Sequence, residues 1–165
     1  MQSLVNWFTK HLSSVFSKEL IVFIIAMIPI LELRGGMLAA SFFHIDMLKG
    51  ILLCVIGNII PVPFILLLIT PIFRWLKKTK LFRPLVEKLE KKAMSKKDTI
   101  EKYQFWGLVI FVGIPLPGTG AWTGSLIAAM LEIKFRKAFP AVLLGIFIAI
   151  IIMTFISYGL LGQVW

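Results

Sequence analysis

Glu32-Leu33-Arg34-Gly35-Gly36 places two opposite charges and two glycines directly after an apolar segment, residues 20–31, that has no charged side chain. That segment is too short to cross a bilayer alone, since a spanning helix needs about 20 residues. Charged side chains at membrane depth are costly and usually face a partner, a pathway or a cavity. How the chain accommodates this charged pair therefore decides its fold.

A related pattern recurs later in the chain. Aligning the sequence with itself pairs residues 34–40, Arg-Gly-Gly-Met-Leu-Ala-Ala, with residues 123–129, Thr-Gly-Ser-Leu-Ile-Ala-Ala. The other matches are Lys49 with Lys137, Gly57 with Gly145, and Ile28-Pro29 with Ile114-Pro115. In each half, an apolar stretch broken by proline and glycine precedes a short charged turn and one long, uninterrupted helix. The sequence predicts an internal repeat of residues 19–73 and 103–165 within one domain, residues 1–165.

The composition is that of a membrane protein. Of the 165 residues, 59% are hydrophobic, against about 45–50% in soluble proteins, and the mean hydropathy is +0.93. Residues 50–73, 103–131 and 138–165 carry no charged side chain, and each stretch exceeds the length of a spanning helix. We expect an all-α, multi-pass protein of the cell (plasma) membrane.

The positive charge is concentrated in one segment. The net charge is +10, and eleven of the 18 Lys and Arg residues lie in residues 74–102. The positive-inside rule predicts that this basic loop or helix is cytoplasmic, where it would attract anionic lipid head groups. Nucleic-acid binding is not expected, because it would require an exposed basic face with base-stacking aromatics. The single cysteine, Cys54, permits no intramolecular disulfide.

The N-terminal region has the outline of a signal peptide, because a basic residue precedes the apolar residues 20–31. Glu32 and Arg34, however, stand where a small-residue cleavage site should follow, so we expect the segment to remain in the mature protein. Before it, apolar residues recur at helical spacing over residues 3–17. This spacing predicts an amphipathic helix on the membrane surface.

Two topologies are consistent with the broken segments. They are either full spans, giving a plain four-span bundle, or re-entrant helical hairpins that leave the membrane on the face they entered. The second arrangement makes the halves inverted-topology repeats, each a hairpin followed by a transmembrane helix, as in transporters. It also brings the cations of residues 134–137 to the same side as the basic segment, which the charge distribution favours.

Three motifs are candidates for a substrate site. On a regular helix Glu32 and Arg34 do not face each other, so they need a broken backbone or other partners, unless they simply lie at a membrane boundary. Residues 115–124 contain two prolines and three glycines, which free backbone groups and threonine hydroxyls or merely kink a helix. Asn58 lies near two further prolines, which predict a kink, and its amide either contacts the substrate or bonds to a neighbouring helix. The candidate residues are Glu32, Arg34, Gly35, Gly36, Asn58, Pro61, Pro63, Pro115, Pro117, Gly118, Thr119, Gly120, Trp122, Thr123 and Gly124.

At these motifs the sequence resembles the small multidrug export protein family. Glu-Leu-Arg-Gly-Gly lies at 32–36, Asn-x-x-Pro-x-Pro at 58–63, and Pro-Leu-Pro-Gly-Thr-Gly-Ala-Trp-Thr-Gly at 115–124. A more distant similarity links the chain to the DedA, or VTT-domain, membrane proteins, which implies proton-coupled transport of an isoprenoid lipid phosphate. Residues 115–124 depart from that group because they contain no arginine and no carboxylate.

We therefore expect a secondary transporter or flippase for an anionic amphiphile, with Arg34 attracting the anion and Glu32 available for proton coupling. The alternatives are an exporter of amphipathic cations and a non-transporting scaffold that binds lipids through residues 74–102. No nucleophile-base pair, metal-ligand cluster or phosphate-binding loop indicates an enzyme or a bound cofactor. With so few spans, a homodimer or larger homo-oligomer in the membrane is expected.

Overall fold

The computed structural model of the protein describes residues 17–29, 31–80, 82–94, 97–116 and 118–160, whose regular structure is entirely helical. The predicted surface helix over residues 3–17 lies outside this part except for Ser17. The helices are α1 (Lys18–Met27), α2 (Glu32–Phe42), α3 (Met47–Ile59), α4 (Pro61–Leu76), α5 (Arg83–Met94), α6 (Lys97–Gly113), α7 (Ala121–Met130) and α8 (Phe135–Thr154). A π-helix over Phe155–Leu160 continues α8.

Two helical stretches are long and apolar enough to cross a membrane. Met47–Leu76 comprises 30 residues and Phe135–Leu160 comprises 26, which exceed the roughly 20 residues that a bilayer requires. The first stretch is divided into α3 and α4 at Ile60, so it is not the uninterrupted helix of the repeat plan, and the division coincides with the kink predicted from Pro61 and Pro63. The reason is that Pro61 begins α4 and has no backbone N–H to continue the ladder of α3. The protein is thus an all-helical membrane protein with two membrane-capable helices among its described residues.

The first charged motif begins the second arm of a helical hairpin. α1 and α2 contain 10 and 11 residues, so each is about 15 Å long. The Lys18 Nζ donates to Phe43 O at 3.4 Å, which brings the beginning of α1 beside the end of α2. The first tip is the turn between α1 and α2 together with the first turn of α2, and in it Leu31 N and Glu32 N both donate to Ile28 O. Ser17 caps α1 by accepting a hydrogen bond from Leu20 N at 3.2 Å.

Residues 97–130 form the corresponding pair, α6 and α7. They are joined by a second tip, whose described residues 114–116 and 118–120 are not helical. α2 and α7 end in the same way. His44 and Glu132 are left-handed, with φ of 53° and 54°. The next residue of each, Ile45 or Ile133, donates at 2.9 Å to the carbonyl five residues earlier. This is the Schellman pattern of helix ends, and it occurs at positions 88 residues apart.

Equivalent glycines also pack in equivalent ways. A Cβ at Gly57 would lie 2.8 Å from Phe23 O of α1, and a Cβ at Gly145 would lie 3.0 Å from Val109 O of α6. In each half, the glycine lets the long helix approach the first arm of its own hairpin. The two hairpins and the long helices enclose one apolar core that includes Val22, Met37, Cys54, Val112, Ile127 and Ile146.

Contacts at the helix ends fix how the halves are arranged. The Ser41 hydroxyl donates to Ser157 O at 2.7 Å, and the Tyr158 hydroxyl donates to Ile45 O at 3.0 Å. The end of α2 therefore lies against the π-helix that continues α8. In contrast, Met130 at the end of α7 shares a small cavity with Arg74 at the end of α4.

Candidate functional site

Glu32 is buried, with 4% of its surface exposed, at the beginning of α2. Its Oε1 accepts a hydrogen bond from Trp122 N at 3.0 Å, and its Oε2 accepts one from Ala121 N at 3.1 Å. Amides in the first turn of a helix have no intrahelical partner, and the helix dipole favours a negative charge there. Glu32 thus caps α7 from the opposite half of the chain.

Arg34 contacts the other end of the same broken segment. Its guanidinium donates to Leu116 O, to Ile114 O at 3.3 Å and to Thr119 Oγ1 at 2.8 Å. The two carbonyls follow directly after the end of α6, where the helix dipole is negative and carbonyl groups lack helical partners. The planar, forked guanidinium is suited to several such acceptors at once.

The two charges of the first tip therefore match the two helix ends of the second tip. The carboxylate of Glu32 contacts the positive end of α7, and the guanidinium of Arg34 contacts the negative end of α6. A third contact between the tips runs from Trp122 Nε1 to Met27 O at 3.1 Å. This arrangement gives a physical reason why residues 115–124 contain no charged side chain, since backbone groups serve as the counter-charges.

Two glycines shape the second tip, and one of them allows this close approach. Gly118 and Gly120 have φ of 80° and 129°, a backbone region that side chains disfavour. A Cβ at Gly120 would lie 2.0 Å from Glu32 Oε2, whereas a Cβ at Gly118 would meet nothing within 4 Å. Glycine is therefore required at position 120 for two reasons. The backbone has a positive φ, and the Glu32 carboxylate leaves no space for a Cβ.

The two tips line an open cavity of about 450 Å³. Its polar lining consists of Glu32, Arg34, Thr119 and Thr123, and its other lining residues are Pro29, Leu31, Gly35, Leu38, Pro115, Leu116 and Gly118. Arg34 is half-buried while Glu32 is buried, so the guanidinium is the more accessible charge. The Thr119 hydroxyl already donates to Ile114 O and Leu116 O. The cavity therefore offers one cation, the Thr123 hydroxyl and apolar walls, which suits a molecule with a small anionic group and an apolar body.

Most of the predicted site residues lie at this junction, and five of the others lie elsewhere. Gly36 packs against Cys54, Gly124 packs against Val112, and Pro61 is buried at the start of α4 near the half-buried Pro63. Asn58 is buried, and its Oδ1 has no hydrogen-bond partner. Gly120 and Trp122 contact the first tip without lining the cavity. Pro117 lies outside the described residues.

Sequence reasoning missed four lining residues, Pro29, Leu31, Leu38 and Leu116. Leu31 and Leu38 follow a readable signal, because positions 31, 34, 35 and 38 share one face of a helix. Leu116 lies between the two prolines of the second tip. Among the described residues, no three His, Cys, Asp or Glu side chains are grouped closely enough to hold a metal ion.

Comparison with known proteins identifies the family. Residues 32–152 match the family described as "Putative small multi-drug export protein", and this range contains both charged side chains of the first tip and the whole second tip. No curated protein and no solved structure shows significant similarity to the chain. Because the match covers most of the sequence, the chain belongs to the Putative small multi-drug export protein family.

Proposed function

We propose that the protein is a small secondary transporter or flippase whose substrate site is the cavity between the hairpin tips. The observation that carries this proposal is that both halves of the chain line one cavity of about 450 Å³, with Arg34 accessible within it. Charged side chains between apolar segments of a membrane protein commonly mark a substrate path. Non-helical backbone at membrane depth is tolerated where it lines such a cavity.

The proposed topology has two inverted repeats with re-entrant hairpins. In a plain four-span bundle, residues 45 and 158 would lie on opposite membrane faces. The hydrogen bond between Tyr158 and Ile45 supports the inverted arrangement, and the matching helix ends at His44 and Glu132 support the repeat. In this arrangement the tips meet at mid-membrane, and residues 74–102 are cytoplasmic at the cell membrane.

We infer an anionic amphiphile as the substrate. The Arg34 guanidinium and the Thr123 hydroxyl are the polar donors available to an anionic head, while Leu31 and Leu38 offer apolar contact. The Thr119 hydroxyl already donates to backbone carbonyls of its own tip. An isoprenoid lipid phosphate is one molecule of this class. In the proposed transport cycle, Glu32 takes up a proton. Its hydrogen bonds with the amides of Ala121 and Trp122 then weaken, and the two tips separate.

A second candidate substrate is an amphipathic cation. It is favoured by the description of the family as drug exporters and by the presence of a carboxylate, Glu32, in the lining. A cation would need to approach Glu32 while Arg34 lies beside it, so this candidate requires a rearranged tip. Substrate charge separates the two alternatives.

The first test is flux in proteoliposomes. Transport of a fluorescent long-chain alkyl phosphate is expected to be lost in Arg34→Gln and retained in Arg136→Gln, an exposed cation away from the cavity. Transport of a cationic dye instead, with Arg34→Gln still active, would favour the drug-export alternative. Transport of neither probe class, although both tips remain intact, would reject the proposed function.

A second test concerns topology and uses Leu48→Cys and Arg136→Cys, each in a Cys54→Ser background. These exposed positions are 88 residues apart and lie at the first turns of α3 and α8. Inverted repeats predict labelling from opposite sides of the membrane. Labelling of both from one side would instead support four plain spans.

We also infer a homo-oligomer, because the part of the chain that the structure describes contains two membrane-capable helices. So few spans are poorly suited to seal a substrate path against lipid. Mass measurement in detergent, combined with transport activity, tests this. A fully active monomer would contradict it.

A further inference from the structure

A second cavity lies far from the hairpin tips, at the end of α4. It has a volume of about 140 Å³ and is lined by Ile69, Thr70, Phe73, Arg74, Glu90 and Met130. Three elements meet here: the last turns of α4, the middle of α5 and the end of α7. The proposed transport function does not use this cavity.

The charge within this cavity is unbalanced. Glu90 forms an ion pair with Lys77, with a distance of 2.5 Å from Oε2 to Nζ, so its charge is already compensated. None of the ion pairs found among the described residues involves Arg74. The cavity therefore presents a guanidinium without a counter-ion, next to the hydroxyl of Thr70.

The surroundings identify the kind of anion. Arg74 lies in the last turn of the apolar stretch Met47–Leu76, at the level where a spanning helix reaches the lipid head groups. Its neighbour Trp75 is 65% exposed. Exposed tryptophans often anchor a protein at the membrane interface. Pro71 and Leu67 lie one and two turns before Arg74 on the same face of α4, and both are exposed, which provides an apolar surface for an acyl chain.

We propose that this cavity binds the phosphate head group of an anionic glycerophospholipid from the adjacent leaflet. Arg74 contacts the phosphate oxygens, Thr70 donates a hydrogen bond, and an acyl chain lies along Leu67 and Pro71. Guanidinium groups favour phosphate because their donors match its oxygen geometry. The bound lipid would join α4 to α5 and so hold the basic segment against the bilayer.

The test uses the full-length protein in a mild detergent and needs no transport measurement, so its outcome is independent of the proposed transport activity. Phosphatidylglycerol at about ten times its dissociation constant is expected to raise Tm by about 3–6 °C. Phosphatidylcholine should raise it much less. Arg74→Gln should abolish the phosphatidylglycerol effect, whereas Lys78→Gln, an exposed cation one turn further along, should preserve it.

Three outcomes would overturn the proposal. Equal losses in Arg74→Gln and Lys78→Gln would indicate diffuse electrostatic attraction instead of a site. An equal rise in Tm with soluble glycerol phosphate would indicate a site for the free phosphate compound. If Arg74→Gln does not fold, Thr70→Val provides the second test, because it removes the hydroxyl with little change in shape. An unchanged phosphatidylglycerol effect in that variant would reject the site.

Discussion

Glu32 Oε1 accepts a hydrogen bond from the backbone amide of Trp122 at 3.0 Å, although the two residues are 90 positions apart. The contact joins the start of α2 to the start of α7, and therefore one broken segment to the other. Because the same carboxylate also accepts from Ala121, one buried side chain satisfies two of the unpaired amides of a helix end. The contact between Glu32 and α7 therefore stabilises the fold, in addition to lying at the candidate binding site.

Replacing the Glu32 carboxylate tests whether its capping of α7 stabilises the protein. Glu32→Gln keeps the size of the side chain but removes the charge and replaces one acceptor oxygen with an NH₂ group facing an amide donor. We expect a loss of about 1–3 kcal/mol of stability, measured as a lower Tm in detergent. Glu132→Gln, at an exposed carboxylate, is the control. Equal Tm values for the two variants would contradict the capping role.

Arg34 should not be replaceable by lysine. Lysine keeps the charge, but its ammonium does not reproduce the planar fork that contacts Leu116 O, Ile114 O and Thr119 Oγ1. We expect Arg34→Lys to loosen the second tip, which maleimide labelling of Leu116→Cys in a Cys54→Ser background reports as a faster rate. Lys49→Arg, at an exposed cation in α3, should leave the rate unchanged. A tip that labels equally slowly with lysine at position 34 would show that charge alone suffices.

Gly120 and Gly118 provide a matched pair for separating crowding from backbone strain. Both have positive φ, so alanine at either position costs about 1–3 kcal/mol, but only at Gly120 would the new Cβ collide with Glu32. We therefore expect Gly120→Ala to lower Tm further than Gly118→Ala. Combining each with Glu32→Ala should remove most of that difference. Equal effects in the original background would mean that the carboxylate does not lie against Gly120.

The repeat itself is testable through its glycines. Alanine at Gly57 or Gly145 places a Cβ within 3.0 Å of a backbone carbonyl of the neighbouring hairpin arm, and such crowding typically costs about 1–3 kcal/mol. Both variants should unfold at lower temperature than Gly159→Ala, whose nearest neighbouring atom lies 3.6 Å away. Destabilisation in one half alone would argue against equivalent packing in the two halves.

Sequence reasoning was most successful where the signal is local. The apolar stretches predicted helices, the prolines and glycines at 115–124 predicted the break between α6 and α7, and Pro61 coincides with the junction at Ile60. Local patterns have this power because a missing N–H or a missing Cβ acts on the backbone at its own position. The predicted DedA-like relationship and the oligomeric state depend on information of another kind and stay predictions.

The sequence alone determined that Glu32 and Arg34 need partners, since side chains two positions apart on a helix do not face each other. Only the tertiary structure decided who those partners are. Apart from the Thr119 hydroxyl, they are backbone groups of Ile114, Leu116, Ala121 and Trp122. Backbone amides and carbonyls are the same for every residue type apart from proline, so no side-chain pattern identifies them. These backbone groups lack helical partners because α6 ends and α7 begins there. Only the folded chain brings the two helix ends to the first tip.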